Sequence, residues 1–181
     1  MFDPLYGTEV LVVDDDQDLV ELLAYVISRT GASGRAATSA REALSLLYEW
    51  TPDIVLLDVG MPMMDGCELL REIRRRPLLR GVTAVAVTGQ THSIDRERAF
   101  EAGFDVHVAK PVDLMILIDL VEWLSSRRLP DAEFACGGEI VVYARFRGRS
   151  RAQGGEPAGS RLPWRLSDAR PSAGGAPPMS R

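Results

Sequence analysis

Five residues in this sequence are of types, and stand at positions, that could do chemistry together. They are Asp14 and Asp15 within the run Asp14-Asp15-Asp16, then Asp58, Thr88 and Lys110. Each follows closely on a short, largely apolar run: Val10-Leu11-Val12-Val13, Ile54-Val55-Leu56-Leu57, Val82–Val87 and Val106-His107-Val108. Singly, each has an ordinary use. An acidic triplet before a helix caps it, an Asp after a strand opens a turn, a Thr bonds locally, and a Lys before Pro sits on the surface. Together they form a coherent set. Carboxylates packed side by side repel one another, and a hard divalent cation relieves that repulsion. Mg²⁺ takes oxygen ligands and keeps several waters, which suits two carboxylates, a carbonyl and an incoming phosphoryl oxygen. An aspartate is also a competent nucleophile for an aspartyl-phosphate. A phosphoryl group in transfer spreads charge over its oxygens, so it needs a metal on one side and a cation or hydroxyl on the other. Lys110 and Thr88 fit that second side. Lys110 is the only lysine, beside 20 arginines, and a compact ammonium suits such a site better than a planar fork.

Regular alternation of strands and helices is what would bring these residues together. Val10–Val13 is a short apolar run of the kind buried on both faces. Asp16 caps a helix with Leu19, Leu22, Leu23, Val26 and Ile27 on one face, and Gly31 and Gly34 break it. A weak strand near Arg35–Thr38 follows. Ser39 with Glu42 reads as a capping box for a helix to about Trp50. Ile54–Leu57 is the next buried strand, then come a helix over 65–75, a strand at Val82–Val87 and a helix over Ser93–Ala102. Val106–Val108 makes a last strand and 113–127 a last helix. Five β–α units predict a parallel sheet with helices on both faces and right-handed crossovers. Ligands of such folds bind beyond the carboxyl ends of the strands, where all five residues fall.

The composition limits the alternatives. The net charge of −5 divides unevenly: residues 1–130 carry 21 acidic and 13 basic side chains, residues 131–181 carry 5 and 8. An acidic body is a poor clamp for a nucleic-acid backbone, so nucleic acid is not expected as a partner. Cys67 and Cys136 are far apart and lack neighbours at ligand spacing, which excludes a disulfide framework and a zinc site. Met1-Phe2-Asp3-Pro4 has no basic region leading into an apolar run, and no apolar stretch is long enough to span a bilayer. The expectation is a cytoplasmic protein without a membrane partner.

Val10–Asp16, Leu56-Leu57-Asp58-Val59-Gly60-Met61-Pro62, Met64-Asp65-Gly66, Val87-Thr88-Gly89 and Lys110-Pro111, in that order, resemble the receiver domain of two-component response regulators. The resemblance covers roughly residues 8–128. It implies a flavodoxin-like, doubly wound, five-stranded parallel sheet in the order 2-1-3-4-5. It further implies phosphorylation on Asp58 by a sensor histidine kinase or histidine phosphotransfer protein, and a signalling phosphoacceptor rather than an enzyme. By the same resemblance Asp15 would ligate Mg²⁺ directly and Asp14 through water, with Asp58 and the Gly60 carbonyl completing the set. Thr88 would bond the phosphoryl group, Lys110 would pair with it, and Pro111 is a cis-proline candidate. His107 stands where most receivers carry a switching Tyr or Phe. A buried imidazole needs a hydrogen-bond partner, so His107 is expected to stay largely solvent-facing.

In the last helix Leu114, Leu117, Ile118, Val121 and Leu124 form the expected core stripe. Ile116, Leu120 and Trp123 widen it beyond what one packed face needs, which suggests a protein target or self-association. The rival is that Ile140–Phe146 folds back over that arc. Residues 129–146 read as a linker with one possible strand. Residues 147–181, of which 28 are Arg, Gly, Pro, Ser or Ala, read as disordered. Two other functions fit the residues less well. An aspartyl-nucleophile phosphatase would need a second Asp two residues after the first, where this chain has Gly60. A regulator whose basic tail contacts DNA would have only dispersed arginines to bind with.

Overall fold

The computed structural model describes residues 5–89, 93–125 and 142–144. Within them the chain runs β1 (Glu9–Val13), α1 (Gln17–Ser28), β2 (Ser33–Ala37), α2 (Ala40–Glu49), β3 (Ile54–Asp58) and α3 (Gly66–Arg75). After a single 3-10 turn at Pro77–Leu79 come β4 (Thr83–Thr88), α4 (Ser93–Ala102), β5 (Val106–Ala109), α5 (Leu114–Ser125) and β6 (Val142–Ala144).

The strand order is β2-β1-β3-β4-β5-β6. The first five strands are parallel, as expected, and β6 adds an antiparallel edge on β5. The period-two alternation of a strand sorts the apolar residues onto two faces. Val10, Val12, Leu56, Val85, Val87, Val106 and Val108 face α1 and α5. Leu11, Val13, Val55, Leu57, Ala84 and Ala86 belong to the core with α2, α3 and α4. Two cores on either side of one sheet explain why β1 and β3 read as unbroken apolar runs.

Several local expectations change. Gly34 does not break α1; it lies inside β2, where a Cβ would come 2.8 Å from the Ala24 carbonyl oxygen. Its missing side chain lets α1 seat on the sheet. Asp16 caps α1 as expected, accepting from the Leu19 amide. The Ser39–Glu42 capping box is half formed. Ser39 Oγ accepts from the Glu42 amide, but Glu42 reaches back to the amide and hydroxyl of Thr38.

The α5 arc is corrected. Leu117, Leu120, Val121 and Leu124 are buried, and Leu114, Ile116 and Trp123 pack partly against them, while Ile118 lies outside that cluster. The helix packs on α1 as well as on the sheet, so it needs a wider apolar arc than a helix with one neighbour. Its one largely exposed apolar side chain is Met115. The tail 147–181 and most of the linker lie outside the described residues. No helix among the described residues is long and apolar enough to cross a membrane.

Candidate functional site

Parallel strands set their carboxyl ends side by side, and the loops after β1, β3, β4 and β5 bring the expected residues into one crevice. Asp14 directly follows β1 and is buried, with its amide donating to the Ala37 carbonyl on β2. Asp14 Oδ1 accepts from the Asp16 amide at 3.0 Å. Asp15 is exposed at the mouth. Asp58 ends β3, buried, with Oδ2 accepting from the Gly60 amide at 3.0 Å. Gly60 itself is exposed, so the crevice opens to solvent there. Thr88 ends β4, buried, and its carbonyl accepts from the Lys110 amide at 2.8 Å. The Lys110–Pro111 peptide bond is cis.

The charged atoms converge closely. Lys110 Nζ lies 2.7 Å from Asp14 Oδ2 and 3.1 Å from Asp58 Oδ1. One carboxylate oxygen from each of Asp14, Asp15 and Asp58 lies within 4.8 Å of the others. Burial is the chief cause that holds the Asp58 carboxyl above the ordinary aspartate range, and the neighbouring Asp14 adds to it. The Lys110 ammonium and the Gly60 amide pull the other way and do not overcome them. Burial alone would push Lys110 down, but its bonds to Asp14 and Asp58 outweigh that, and the ammonium is held above its usual value. Three carboxylates against one ammonium leave a surplus of negative charge. Their oxygens are hard donors at mutual distances a small divalent cation can bridge, so the donor set fits such an ion.

Backbone packing fixes the loop that carries Asp58. A Cβ on Gly66 would come 2.2 Å from the Asp58 carbonyl oxygen, so only glycine lets α3 begin this close to β3. The Gly66 amide donates to the Val59 carbonyl at 3.2 Å. Asp65 and Glu68 form a full capping box on α3. The other oxygen of Asp65 accepts from Arg98 Nη2 on α4 at 2.7 Å, tying α4 to the same loop. The Asp-x-x-Glu pattern was a readable signal for that cap, whereas nothing in the sequence points to the tie.

His107 is corrected. It is 2% exposed, set within β5 between Ala86 of β4 and Tyr143 of β6. The expectation of a solvent-facing ring rested on the cost of burying an imidazole; the ring is buried all the same, in a strand that β6 covers on its outer edge. Sequence reasoning also missed Arg74. From the last turn of α3 it donates to the carbonyls of Arg80, Val82 and Gly103, and to Asp105 Oδ2 at 2.9 Å. The run Arg74-Arg75-Arg76 reads simply as cations at a helix C-terminus, which hides the one that is a tertiary staple. Cys67 is fully buried, and burial, then Asp65, pushes its thiol up, as an unreactive cysteine requires.

Comparison with known proteins gives consistent matches. The family model described as response regulator receiver domain matches residues 10–122. A curated protein of Leptolyngbya boryana, described as an uncharacterized 14.6 kDa protein in the sodA1 3′ region, is 40% identical over 124 residues. That match spans 68% of this chain and 95% of the relative. Among solved structures, the signal receiver domain of a signal transduction histidine kinase from Syntrophus aciditrophicus is 30% identical, with a TM-score of 0.62. It covers 72% of this chain and 100% of its own. The receiver domain of the Francisella response regulator 1452 is 25% identical with a TM-score of 0.62, over 67% and 98% of the two chains.

Proposed function

The chain belongs to the response regulator receiver domain family, and on that premise we propose that it accepts a phosphoryl group on Asp58 from a sensor histidine kinase or histidine phosphotransfer protein. The observation that carries the reading is the single ammonium of Lys110 placed between the carboxylates of Asp14 and Asp58. In the transfer, an Asp58 oxygen forms the new bond to phosphorus as the donor's phosphorus–nitrogen bond breaks. The freed imidazole nitrogen keeps the electron pair of the broken bond. Lys110 pairs with the arriving phosphoryl oxygens, and the Thr88 hydroxyl donates to another. Asp14, Asp15, Asp58 and the Gly60 carbonyl are the groups that would hold Mg²⁺. When bound, that ion would neutralise charge gathered on the carboxylates and the phosphoryl group.

We read the chain as a cytoplasmic signalling phosphoacceptor, a reading supported by an acceptor carboxylate, a set of oxygen donors for a cation and one ammonium to pair with the phosphoryl group. With His107 already buried, the response to phosphorylation runs through Thr88 and α4, which the Arg98–Asp65 bond ties to the β3–α3 loop. The test is incubation with Mg²⁺ and acetyl phosphate followed by intact-mass spectrometry. The native chain should gain one phosphoryl group and Asp58→Ala none; equal labelling of both would place the acceptor elsewhere.

A further inference from the structure

The sheet has two edges, finished differently. β2 reads Ser33-Gly34-Arg35-Ala36-Ala37 and exposes Ser33 and Arg35. A charged strand that also carries glycine is a poor template for another strand. β5 reads Val106-His107-Val108-Ala109, without charged residue, proline or glycine, and all four residues are buried. Left at the edge, such a strand presents backbone donors and acceptors to any extended chain. Here they are taken by β6, with Val106 opposite Ala144, His107 opposite Tyr143 and Val108 opposite Val142. The pairing is three residues long, and residues 126–141 separate it from the end of α5. Fully extended, a segment of that length spans roughly 50 Å. β6 is therefore brought to β5 from a distance in sequence, with α5 between them, and not turned onto it by a hairpin.

We propose that the β5 edge is a strand-binding surface closed in cis by residues 142–144, and that a chain with β6 disabled pairs through this edge with a second copy of itself. β5 is self-complementary for that purpose. Antiparallel pairing about His107 sets Val106 opposite Val108 of the second copy, with both on the same face of the joined sheet. The two-fold symmetry of such a pair closes the assembly at a dimer. The inference stands apart from phosphoryl transfer, since it uses no residue of the crevice.

The test uses the full chain. Tyr143→Pro in one variant and Val142→Pro with Ala144→Pro in another remove the β6 amide donors whichever set faces β5. Light scattering over a concentration series should show a single chain for the native protein. At least one proline variant should move to twice that mass as concentration rises. Proline variants that stay single at every concentration, or a native chain already dimeric, overturn the proposal. Independently of the prolines, Val106→Cys with Ala144→Cys, in a Cys136→Ser background, should oxidise to a link within one chain. A link between chains, or no link, also overturns it.

Discussion

At the carboxyl end of the sheet one ammonium faces three carboxylates; at the amino end one guanidinium meets one carboxylate and three carbonyls. Arg74, Asp105, Asp14 and Asp58 are largely withdrawn from water while Asp15 stands exposed at the mouth, and both clusters join loops to strand ends. The amino-end cluster is matched. Arg74 spreads its fork over four acceptors, and Asp105 Oδ2 also takes the Ala84 amide at 2.8 Å. The carboxyl-end cluster is short of positive charge, with one point-like ammonium shared by Asp14 and Asp58. One cluster therefore ties the fold together with its charges matched, whereas the other carries the surplus of negative charge that the proposed ion and phosphoryl transfer would use.

The largest expected break in that contrast is Arg74→Ala. Removing the staple leaves Asp105 and three carbonyls short of donors, and should lower unfolding free energy by roughly 2–4 kcal/mol. Urea unfolding checks it, with acetyl-phosphate labelling of the folded chain unchanged; a loss under about 0.5 kcal/mol would make the staple ornamental. Next is Gly66→Ala, where the new methyl meets the Asp58 carbonyl and must push α3 outward, at a cost of about 1–3 kcal/mol. Here labelling should fall along with stability, because the strain sits beside Asp58, the proposed acceptor. Asp15→Ala should weaken Mg²⁺ binding by about tenfold or more while leaving stability near native, if Asp15 is the proposed ligand at the exposed mouth. A titration followed by tryptophan fluorescence or NMR shows whether it does.

The smallest effect is the most direct test of the open cluster. The Asp58 carboxyl is held above its unfolded value, chiefly by burial. The folded chain therefore binds that proton more tightly, so the group's contribution is fully present in acid. It is lost as pH rises through the folded-state pKa. In metal-free buffer, Asp58→Asn should then be more stable than native near neutral pH, with the difference closing in acid. A variant less stable than native across the range would mean that Lys110 more than offsets the burial of Asp58.

How much of this was readable beforehand differs between the clusters for a physical reason. Asp14, Asp58, Thr88 and Lys110 each follow an apolar strand, and a parallel sheet brings the residues after its strands together, so spacing alone located the crevice. Arg74 sits at a helix end and finds partners 6 to 31 residues away in sequence through the packing of α3, which no local pattern reports. His107 was misplaced for a related reason. It lies opposite a three-residue strand that begins 35 residues later; a strand was readable near 140–146, but its pairing with β5 was not, because no local pattern reports a partner that far away. In α5 the apolar residues were found but their arc was assigned to a partner, because periodicity counts faces and not neighbours.

The close approach at Gly66 also bears on how α3 starts. A glycine in a helix gives up as much as about 1 kcal/mol against alanine, so the position chosen for proximity is a poor one for helix initiation. The residues on either side supply the opposite tendency. Asp65 and Glu68 satisfy each other's amides in a box of the kind that stabilises a helix start by roughly 1 kcal/mol. The first turn of α3 is thus assembled from one residue that resists winding and two that enforce it. Its register against β3 is set by backbone contact rather than by any side chain of the crevice.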